Sequence, residues 1–324
     1  MTAKQRVQAA VRFEGPDRTP YLRWDQLDRS DFVADWARPV SKPVPPRTSW
    51  VDAWGCRWDT VDATSGQVLG HPIESVDGYA RFELPAQTLD LDALRANRRD
   101  YPDSVNTFAL GFFFFERLEK LRGFAEFMMD LAAERDAIEA FMDRMQTYWV
   151  GLVDACAESG LVDCIAVNED LGLQDRLTIS PAMWRDVFMP RYRAVYQRAC
   201  ERGMMVLQHS CGYIQDIVGD LAEVGVNILE MQQLACMDMD AVAVAAHGRM
   251  CISAPVDIQA VLPRGNWDEI AAFQDRLFRT FDRPEGGFIP QIYSDLCALG
   301  IAPELIERLD AYIQPRRDWR LART

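Results

Sequence analysis

Short apolar runs alternate with amphipathic stretches along the chain from residue 105 onward. Such runs are typical of strands that are buried on both faces of a parallel sheet. The stretches between them repeat apolar residues every three to four positions, as helices that pack on a sheet do. This pattern predicts strands at 106–110, 162–167, 204–208, 226–229, 250–253 and 287–290, and helices at 112–131 (one or two), 134–159, 180–200 with a break at Pro190, 213–224, 239–247, 267–281 and 303–312.

Strands that alternate with helices through short connections predict parallel pairing and right-handed crossovers. The number of these units and the length of 324 residues favour a closed (β/α)8 TIM barrel over an open sheet. We predict one α/β domain over 1–324, with an irregular N-terminal part at 1–100 and regular β/α repeats at 101–324. Trp50, Trp54 and Trp58 lie in the irregular part, where Gly55 favours strands and turns with tryptophans that pack.

The chain carries 49 acidic against 35 basic residues, which gives a formal net charge of −14. A surface of this charge repels phosphate backbones and anionic lipids, so we expect neither a nucleic-acid nor a membrane partner. The eight cysteines are scattered without a Cys-x-x-Cys pair, the N-terminal stretch at 1–14 has no apolar core of the signal-peptide kind, and no apolar run approaches the length of a membrane span. We therefore expect a cytoplasmic protein with reduced thiols.

Polar residues recur at the points where the predicted strands end. The C-terminal ends of the strands are where a barrel has its active site, so this distribution is that of a site rather than of a core. The residues in question are Asn168, Glu169, Asp170, His209, Cys211, Glu230, Asp257, Tyr293, Asp295 and Cys297.

A His-Ser-Cys-Gly sequence follows the strand at 204–208 and presents His209 and Cys211 two residues apart. Imidazole and thiolate are both good zinc ligands. Glu230 ends the next strand, and Cys297 follows the last predicted strand, which closes next to the first. These four residues predict a zinc site that lowers the pKa of a bound thiol, which is the chemistry of alkyl transfer to sulfur. A carboxylate ligand such as Glu230 could yield its place to the substrate.

Each of these residues also has a structural interpretation. Cys211 could belong only to a tight turn, Glu230 could pair with Arg249, and Cys297 has apolar neighbours, among which an inert buried cysteine is common. The remaining cysteines that fall within predicted helices or strands are expected to be core residues; they are Cys156, Cys164, Cys200 and Cys251.

The order of several short motifs resembles that of the uroporphyrinogen decarboxylase-like superfamily over nearly the whole chain. The resemblance implies a (β/α)8 barrel. The motifs are Arg-Val-Gln-Ala-Ala at 6–10, Pro-Asp-Arg-Thr-Pro at 16–20, Asp-Ala-Trp-Gly-Cys at 52–56, Asp-Leu-Gly-Leu-Gln at 170–174, Ile-Ser-Pro at 179–181, Met-Pro-Arg at 189–191, His-Ser-Cys-Gly at 209–212, Gly-Val-Asn-Ile-Leu at 225–229 and Gly-Gly-Phe-Ile at 286–289.

Two branches of that superfamily differ at positions that this chain can be compared with. Uroporphyrinogen decarboxylases need no cofactor and bind their acidic tetrapyrrole with an arginine-rich N-terminal segment, where this chain has Tyr-Leu-Arg-Trp at 21–24. The corrinoid-linked methyltransferases have a His-x-Cys pair that corresponds to His209 and Cys211. Their third zinc ligand is a cysteine soon after the last Gly-Gly strand. Tyr293 and Ser294 lie near that position and Cys297 slightly later.

The resemblance is closest to the methyltransferase branch and implies a zinc-dependent methyltransferase. Zinc on His209 and Cys211, with Cys297, would bind a thiol acceptor, and a methylated corrinoid protein would dock over the barrel mouth. The methyl donor could instead be a small methylated molecule, with the corrinoid as acceptor. The chain lacks an Asp-x-His-x-x-Gly motif, so cobalamin would sit on a separate chain. A similar His-x-Cys, Glu, Cys order in cobalamin-independent methionine synthase supports Glu230 as a further ligand.

Three residues are expected to act beside the zinc, and two other functions stay open. Asn168, Asp170 and Tyr293 would shape the pocket or move protons. The first alternative is a metal-free decarboxylase or lyase with Asp170 or Glu169 as general acid. The second is a non-catalytic barrel that binds a corrinoid protein or a small ligand, since one barrel fold serves many functions.

Overall fold

The computed structural model describes residues 1–35, 48–60, 66–293 and 299–318. Its strands in chain order are β1 (Phe32–Ala34), β2 (Ser49–Val51), β3 (Arg57–Asp59), β4 (Gln67–Gly70), β5 (Val105–Phe112), β6 (Cys164–Asn168), β7 (Met205–His209), β8 (Ile228–Glu230), β9 (Cys251–Ala254) and β10 (Phe288–Pro290). Its helices are α1 (Ala3–Val11), α2 (Val76–Arg81), α3 (Leu91–Asp100), α4 (Phe115–Arg122), α5 (Phe124–Ala133), α6 (Arg135–Ser159), α7 (Pro181–Met183), α8 (Met189–Glu201), α9 (Val218–Val224), α10 (Met239–Ala246), α11 (Trp267–Phe281) and α12 (Pro303–Ile313).

The main sheet is parallel throughout and has the strand order β1-β5-β6-β7-β8-β9-β10. Leu22 forms a single parallel bridge with Gln291, directly after β10. The carbonyl of Tyr21 accepts a 2.9 Å hydrogen bond from the N–H of Asp31, directly before β1. The segment around Leu22 therefore lies between the two edge strands and closes the barrel, as the strand–helix alternation predicts.

Two layers of apolar side chains hold this architecture together. The inner layer fills the barrel with buried residues that include Val105, Ala166, Leu207, Ile228 and Ile289. The outer layer is larger and packs the opposite faces of the strands against the surrounding helices. Because both faces of each strand are covered, the strands consist of continuous apolar runs, which is the pattern from which they were predicted.

Local signals explain the helix that begins after residue 180. The Ser180 hydroxyl accepts the Met183 N–H and Pro181 occupies the first helical position, as expected of a helix start. The predicted break at Pro190 is wrong in place and in kind. The chain instead forms a π-helical turn over Trp184–Phe188 and then continues as α8. Because Pro190 has no N–H to donate, one wider turn absorbs the missing hydrogen bond.

Some predicted boundaries and one predicted environment are wrong. Strand β5 extends to Phe112, and α4 begins only at Phe115. The predicted helix from Tyr213 begins as a 3-10 turn, and α9 proper starts at Val218. Cys200 is exposed, whereas the other cysteines predicted for the core are buried. Among the described residues, none of the helices combines the length and apolarity that crossing a bilayer requires.

Strands β2, β3 and β4 form a small antiparallel sheet, which confirms strands and turns around the tryptophans. Trp50 and Trp58 stack across it with ring centroids 5.9 Å apart, and Trp58 stacks in turn on Phe112 at the end of β5. Trp54 lies in the turn between β2 and β3, where the Arg117 guanidinium lies 4.4 Å from its ring centroid. The sheet is thus fastened by aromatic contacts beside the barrel mouth.

Candidate metal centre

One row of residues crosses the sheet at the C-terminal ends of its strands. Asn168 on β6 pairs with His209 on β7, which pairs with Glu230 on β8, which pairs with Ser253 on β9. Residues in register on neighbouring parallel strands direct their side chains to the same face of the sheet. The end of the apolar run on each strand therefore brings an amide, an imidazole, a carboxylate and a hydroxyl together.

The imidazole of His209 is held from behind by Glu230. Its Nδ1 lies 2.6 Å from Glu230 Oε2, and the Glu230 side chain is almost completely buried. The other carboxylate oxygen accepts hydrogen bonds from the amides of Gln291 at 2.5 Å and Gln232 at 3.1 Å. Gln291 in turn accepts the hydroxyl of Ser253 at 3.2 Å. The chain thus fixes both the position and the orientation of the imidazole ring.

Charge rather than burial sets the ionisation of this pair. Burial by itself would lower the pKa of His209, but the negative charge of Glu230 and the hydrogen bonds to Asp170 and Cys211 hold it well above its usual value. Burial would likewise raise the pKa of Glu230, yet the facing imidazole holds it below its usual value. The carboxylate is therefore ionised and gives the imidazole a fixed partner at Nδ1.

The second ring nitrogen of His209 faces two further donor groups. Asp170 Oδ1 lies 3.3 Å and Cys211 Sγ lies 3.4 Å from Nε2. Asp170 Oδ1 also accepts the Cys211 N–H at 2.7 Å. One oxygen, one nitrogen and one sulfur thus lie within 4.8 Å of one another. The Asp170 side chain is 45% exposed, so this cluster is open towards the barrel mouth.

Close contact between two loops brings Asp170 and Cys211 together. The loop after β6 and the loop after β7 touch at Gly172 and Gly212. A Cβ on Gly212 would lie 2.2 Å from the carbonyl oxygen of Gly172, and a Cβ on Gly172 would lie 2.4 Å from the Tyr213 nitrogen. Gly212 also has a φ of +77°, which side-chain-bearing residues rarely adopt. The glycine after the His-x-Cys motif therefore sets the geometry of the site as well as the turn.

Glu169 points away from the cluster, although it precedes Asp170 in sequence. It is fully buried and accepts the backbone N–H groups of Phe113, Phe115 and Glu116 at the start of α4. The hydroxyl of Tyr192 also donates to it. Burial and the nearby charge of Glu116 raise the pKa of Glu169 to about 8. Through these contacts Glu169 anchors the start of α4. Its carboxyl group does not face the cluster, where the general acid predicted as an alternative would act.

Sequence reasoning missed Glu116, the second residue of α4. Its side chain is almost completely buried, and burial together with the charge of Asp170 raises its pKa to about 7. Lys120, one turn later, has its ammonium nitrogen 3.9 Å from the Glu116 carboxylate. The only sequence signal for this buried acid was its position directly after the apolar run at 112–115. Acidic residues are also common in the first turn of a solvent-exposed helix, so this signal was not specific.

A cavity of about 250 Å³ opens beside the cluster. The described residues that line it are Trp24, Ala109, Ala166, Asn168, Leu207, His209, Glu230, Gln232 and Gln291. Asn168 therefore lies in the pocket, as expected. Trp24 and the two glutamines come from loops whose positions the sequence did not predict.

The other predicted site residues lie away from the cluster or outside the residues that the structure describes. Tyr293 follows Gln291 by two residues but does not line the cavity. Asp257 is buried and accepts the backbone N–H groups of Ala235, Gln259 and Ala260, so it stabilises loops. Cys297, which the sequence predicted as a further zinc ligand, and Asp295 lie outside the described residues.

The donor set fits a zinc ion by its chemistry. Zinc binds imidazole nitrogen, thiolate and carboxylate oxygen, which are the three groups gathered here. Metal-ligating histidines commonly have their other ring nitrogen held by a carboxylate, as Glu230 holds Nδ1 of His209. Glu230 lies on the opposite side of the ring from Asp170 and Cys211. The geometry therefore favours Asp170 over Glu230 as the oxygen ligand.

Comparisons with known proteins place the fold. Residues 51–290 match the family model described as "Uroporphyrinogen decarboxylase (URO-D)". No curated protein matches the chain. The structure is similar to that of a methyltransferase from Methanosarcina mazei, with a TM-score of 0.71 and 19% identity over 96% of this chain and 98% of that one. A D-allulose 3-epimerase from Methylomonas sp. is more distant, with a TM-score of 0.43 and 15% identity over 75% of this chain and 94% of that one.

Proposed function

The chain belongs to the uroporphyrinogen decarboxylase family, and from this premise we propose that it is a zinc-dependent methyltransferase. It would move a methyl group between a corrinoid protein and a small thiol or another small methyl acceptor or donor. The observation that carries the proposal is the convergence of Asp170, His209 and Cys211 at the C-terminal ends of the barrel strands. The structural similarity to the Methanosarcina mazei methyltransferase supports it at the level of the fold.

Four residues would hold the zinc, three of them through the donors described above. These are His209 through Nε2, Cys211 through Sγ and Asp170 through a carboxylate oxygen. Cys297 stays a predicted fourth ligand. When bound there, zinc acts as a Lewis acid and keeps a substrate thiol in its thiolate form at neutral pH. Asp170 would thus be a ligand rather than the proton-moving group predicted from sequence.

The residues around these donors would position them and shape the substrate pocket. Glu230 holds the His209 ring so that Nε2 faces the zinc ligands, and Gln291 and Gln232 hold Glu230. Asn168 and Trp24 line the cavity next to this group and would contact the small substrate. A methylated corrinoid protein docked over the barrel mouth would supply the methyl group as a cation equivalent, and the substrate thiolate would accept it.

Metal content after purification under mild chelation tests the proposal. We expect about one zinc per chain, with zinc strongly reduced in Cys211→Ser and His209→Ala, because each removes one donor of a site with about four ligands. Cys200→Ser is the matched control, since that thiol is exposed on α8 and away from the cluster. Cys297→Ser decides whether the predicted fourth ligand takes part.

Activity separates a catalytic zinc from a structural one. The zinc-loaded chain should transfer methyl groups from methylcobalamin to small thiols, and Cys211→Ser should not. A wild-type chain without zinc, or one whose methyl transfer survives complete chelation, would contradict the proposal.

A metal-free decarboxylase is the second candidate, favoured by the description of the matching family. Its general acid would be Asp170, which is open to the barrel mouth beside His209. An acidic tetrapyrrole would need cationic partners, yet neither lysine nor arginine is among the described residues that line the cavity. Decarboxylation that persists in chelator and is abolished in Asp170→Asn would favour this candidate over the methyltransferase.

A further inference from the structure

A second cavity, of about 340 Å³, lies on the outside of the barrel, away from the metal centre. It opens between α10 and α11 at the start of strands β9 and β10. Ile252 and Gly287, which are joined by a 2.9 Å backbone hydrogen bond, form its inner wall. The proposed zinc ligands lie at the other ends of the strands. This cavity is therefore separate from the site to which we assign methyl transfer.

The lining of this cavity is apolar at its base and polar at its rim. Met250, Ile252 and Phe281 are buried at the base. Thr280 and Arg283 lie at the rim, together with His247. Such a lining suits a small molecule with an apolar body and one polar head, and the volume lies in the range of ligand pockets.

The rim belongs to a longer basic groove. A shallower depression, lined by Arg276 and Arg279, continues from the cavity and shares Thr280 and Arg283 with it. Arg276, Arg279 and Arg283 follow at spacings of three and four, so they lie on one side of α11 and its end. None of the three forms an ion pair with a described residue, although the chain carries a net charge of −14. Asp240 is the acidic residue that lines the depression.

The lack of a described acidic partner for these three arginines contrasts with their surroundings. Arg316 on the neighbouring segment pairs with Asp275 of the same helix α11 at 2.9 Å. Carboxylates are thus within reach of α11, yet Arg276 and Arg279 form no ion pair with a described residue. The guanidinium of Arg283 donates from Nη1 to the backbone carbonyl oxygens of Arg279 and Asp282 and has no carboxylate partner among the described residues. Guanidinium groups bind carboxylates and phosphates through paired N–H donors, which defines the polar head of the expected ligand.

Two further features mark the cavity as a formed site. Phe13 has a φ of +57°, a conformation that residues other than glycine rarely adopt. A Cβ on Gly287 would lie 3.0 Å from the Phe13 ring, so this glycine lets the ring close one wall. Val244 at the mouth is 81% exposed, which leaves a large apolar side chain uncovered beside the arginines.

We infer that this cavity binds a small organic anion with an apolar body, either a carboxylate or a phosphate monoester. The anionic head lies against Arg283 and Arg279, where the groove is basic. The apolar body lies between Phe13, Val244 and Phe281. The inference stands on this cavity alone and does not depend on the zinc site.

Ligand-observed saturation-transfer NMR on the whole protein tests the inference with three probes. The probes are 4-phenylbutyrate, phenyl phosphate and, as a neutral probe, 4-phenylbutanol. We expect at least one anion to bind about tenfold more tightly than the alcohol, because only an anion engages the guanidinium groups. Raising the salt concentration from about 0.05 M to about 0.3 M should weaken the binding of the anion and leave the binding of the alcohol unchanged. Which anion binds decides between a carboxylate and a phosphate as the natural head group.

Three variants locate the binding site. Arg283→Gln removes the rim guanidinium, but Arg283 also donates to the carbonyl groups of Arg279 and Asp282, so it could affect the helix end. Arg279→Glu and Val244→Glu change exposed side chains and leave those bonds in place. Each variant should weaken anion binding about tenfold or more by removing or opposing the positive charge. Arg308→Gln, on a guanidinium that stacks on Trp267 outside the groove, should have no effect.

Three results would overturn the inference. The first is equal binding of the alcohol and the anions, which would leave no role for the arginines. The second is wild-type anion binding in both Arg279→Glu and Val244→Glu, which would place the anion elsewhere on the protein. The third is absence of binding by all three probes.

Discussion

Glu230 contacts His209 from the side opposite to Cys211 and Asp170, with its Oε2 at 2.6 Å from Nδ1 of the imidazole. This relationship gives the two carboxylates near His209 different roles. Asp170 lies with Cys211 near Nε2, where a metal ligand would be useful. Glu230 lies where a carboxylate orients the ring and raises its basicity.

Replacement of Glu230 by Gln should weaken zinc binding without removing it. The amide keeps the shape of the side chain but no longer carries the charge that makes His209 a better ligand, so we expect a loss of about 10- to 100-fold in affinity. Competition with a chromophoric chelator measures this loss. Glu223→Gln, which changes an exposed acid that pairs with Arg193, is the control. Complete loss of zinc would instead assign Glu230 as a direct ligand.

Replacement of Asp170 by Asn should reduce zinc affinity more than it reduces stability. The amide oxygen can still accept the Cys211 N–H, and the side chain is partly exposed, so the loop keeps its structure. The anionic oxygen donor is lost, and zinc prefers a carboxylate to an amide in such a site. Zinc competition and thermal unfolding should be measured on the same samples. Unchanged zinc affinity would remove Asp170 from the ligand set.

Replacement of Gly212 by Ala should disrupt the metal centre, whereas replacement of Gly203 by Ala should not. Both glycines have similar left-handed backbones, with φ of +77° and +80°. Only at Gly212 would the new Cβ meet another loop, 2.2 Å from the Gly172 carbonyl oxygen, while no atom lies within 4 Å of a Cβ on Gly203. The shared backbone strain costs about 1–2 kcal/mol.

The difference between the two glycine variants therefore isolates the contact between the loops. Chemical denaturation and zinc content measure it. We expect Gly203→Ala to bind zinc as the wild type does. We expect Gly212→Ala to lose zinc, and its free energy of unfolding should fall by more than the backbone strain that both variants share. Equal behaviour of the two variants would show that the loop contact does not hold the site.

Asp282 should make the wild-type protein less stable as the pH rises. Burial raises the pKa of this carboxyl to about 8, although the Thr19 hydroxyl donates to it. The folded state therefore binds this proton more tightly than the unfolded state does between roughly pH 4 and pH 8. Its contribution to stability is fully present below pH 4 and is lost as the pH rises towards 8.

Asp282→Asn tests this pH dependence because the amide does not titrate. The variant should be as stable as the wild type near pH 4 and more stable near pH 8 by about 1 kcal/mol or more. Each unit by which the pKa of Asp282 differs between the folded and unfolded states corresponds to about 1.4 kcal/mol. Denaturant unfolding at the two pH values measures the difference. Glu285→Gln, an exposed acid in the same loop, should show no such change. A parallel pH profile for wild type and Asp282→Asn would contradict the prediction.

The sequence predicted those parts of the molecule that depend on near neighbours in the chain. The apolar runs predicted β5 to β10, because a strand that is buried on both faces has apolar residues at successive positions. The His-x-Cys spacing, the acidic residue after β6 and the acidic residue that ends β8 were visible in the sequence for the same reason. The π-helical turn before Pro190 was missed, since spacing alone does not show how a chain accommodates an absent N–H group.

Tertiary structure decided how the candidate site is arranged. The sequence placed Asp170 and Glu230 at strand ends but could not tell which would face Nε2 of His209 and which Nδ1. That choice depends on strand register and on the contact of Gly172 with Gly212, two loops about forty residues apart in sequence. Glu116 and Trp24 joined the site for a similar reason, because barrel closure and helix packing bring together residues that are distant along the chain. By itself, the sequence determined the elements and the donor groups. Only the fold determined their directions.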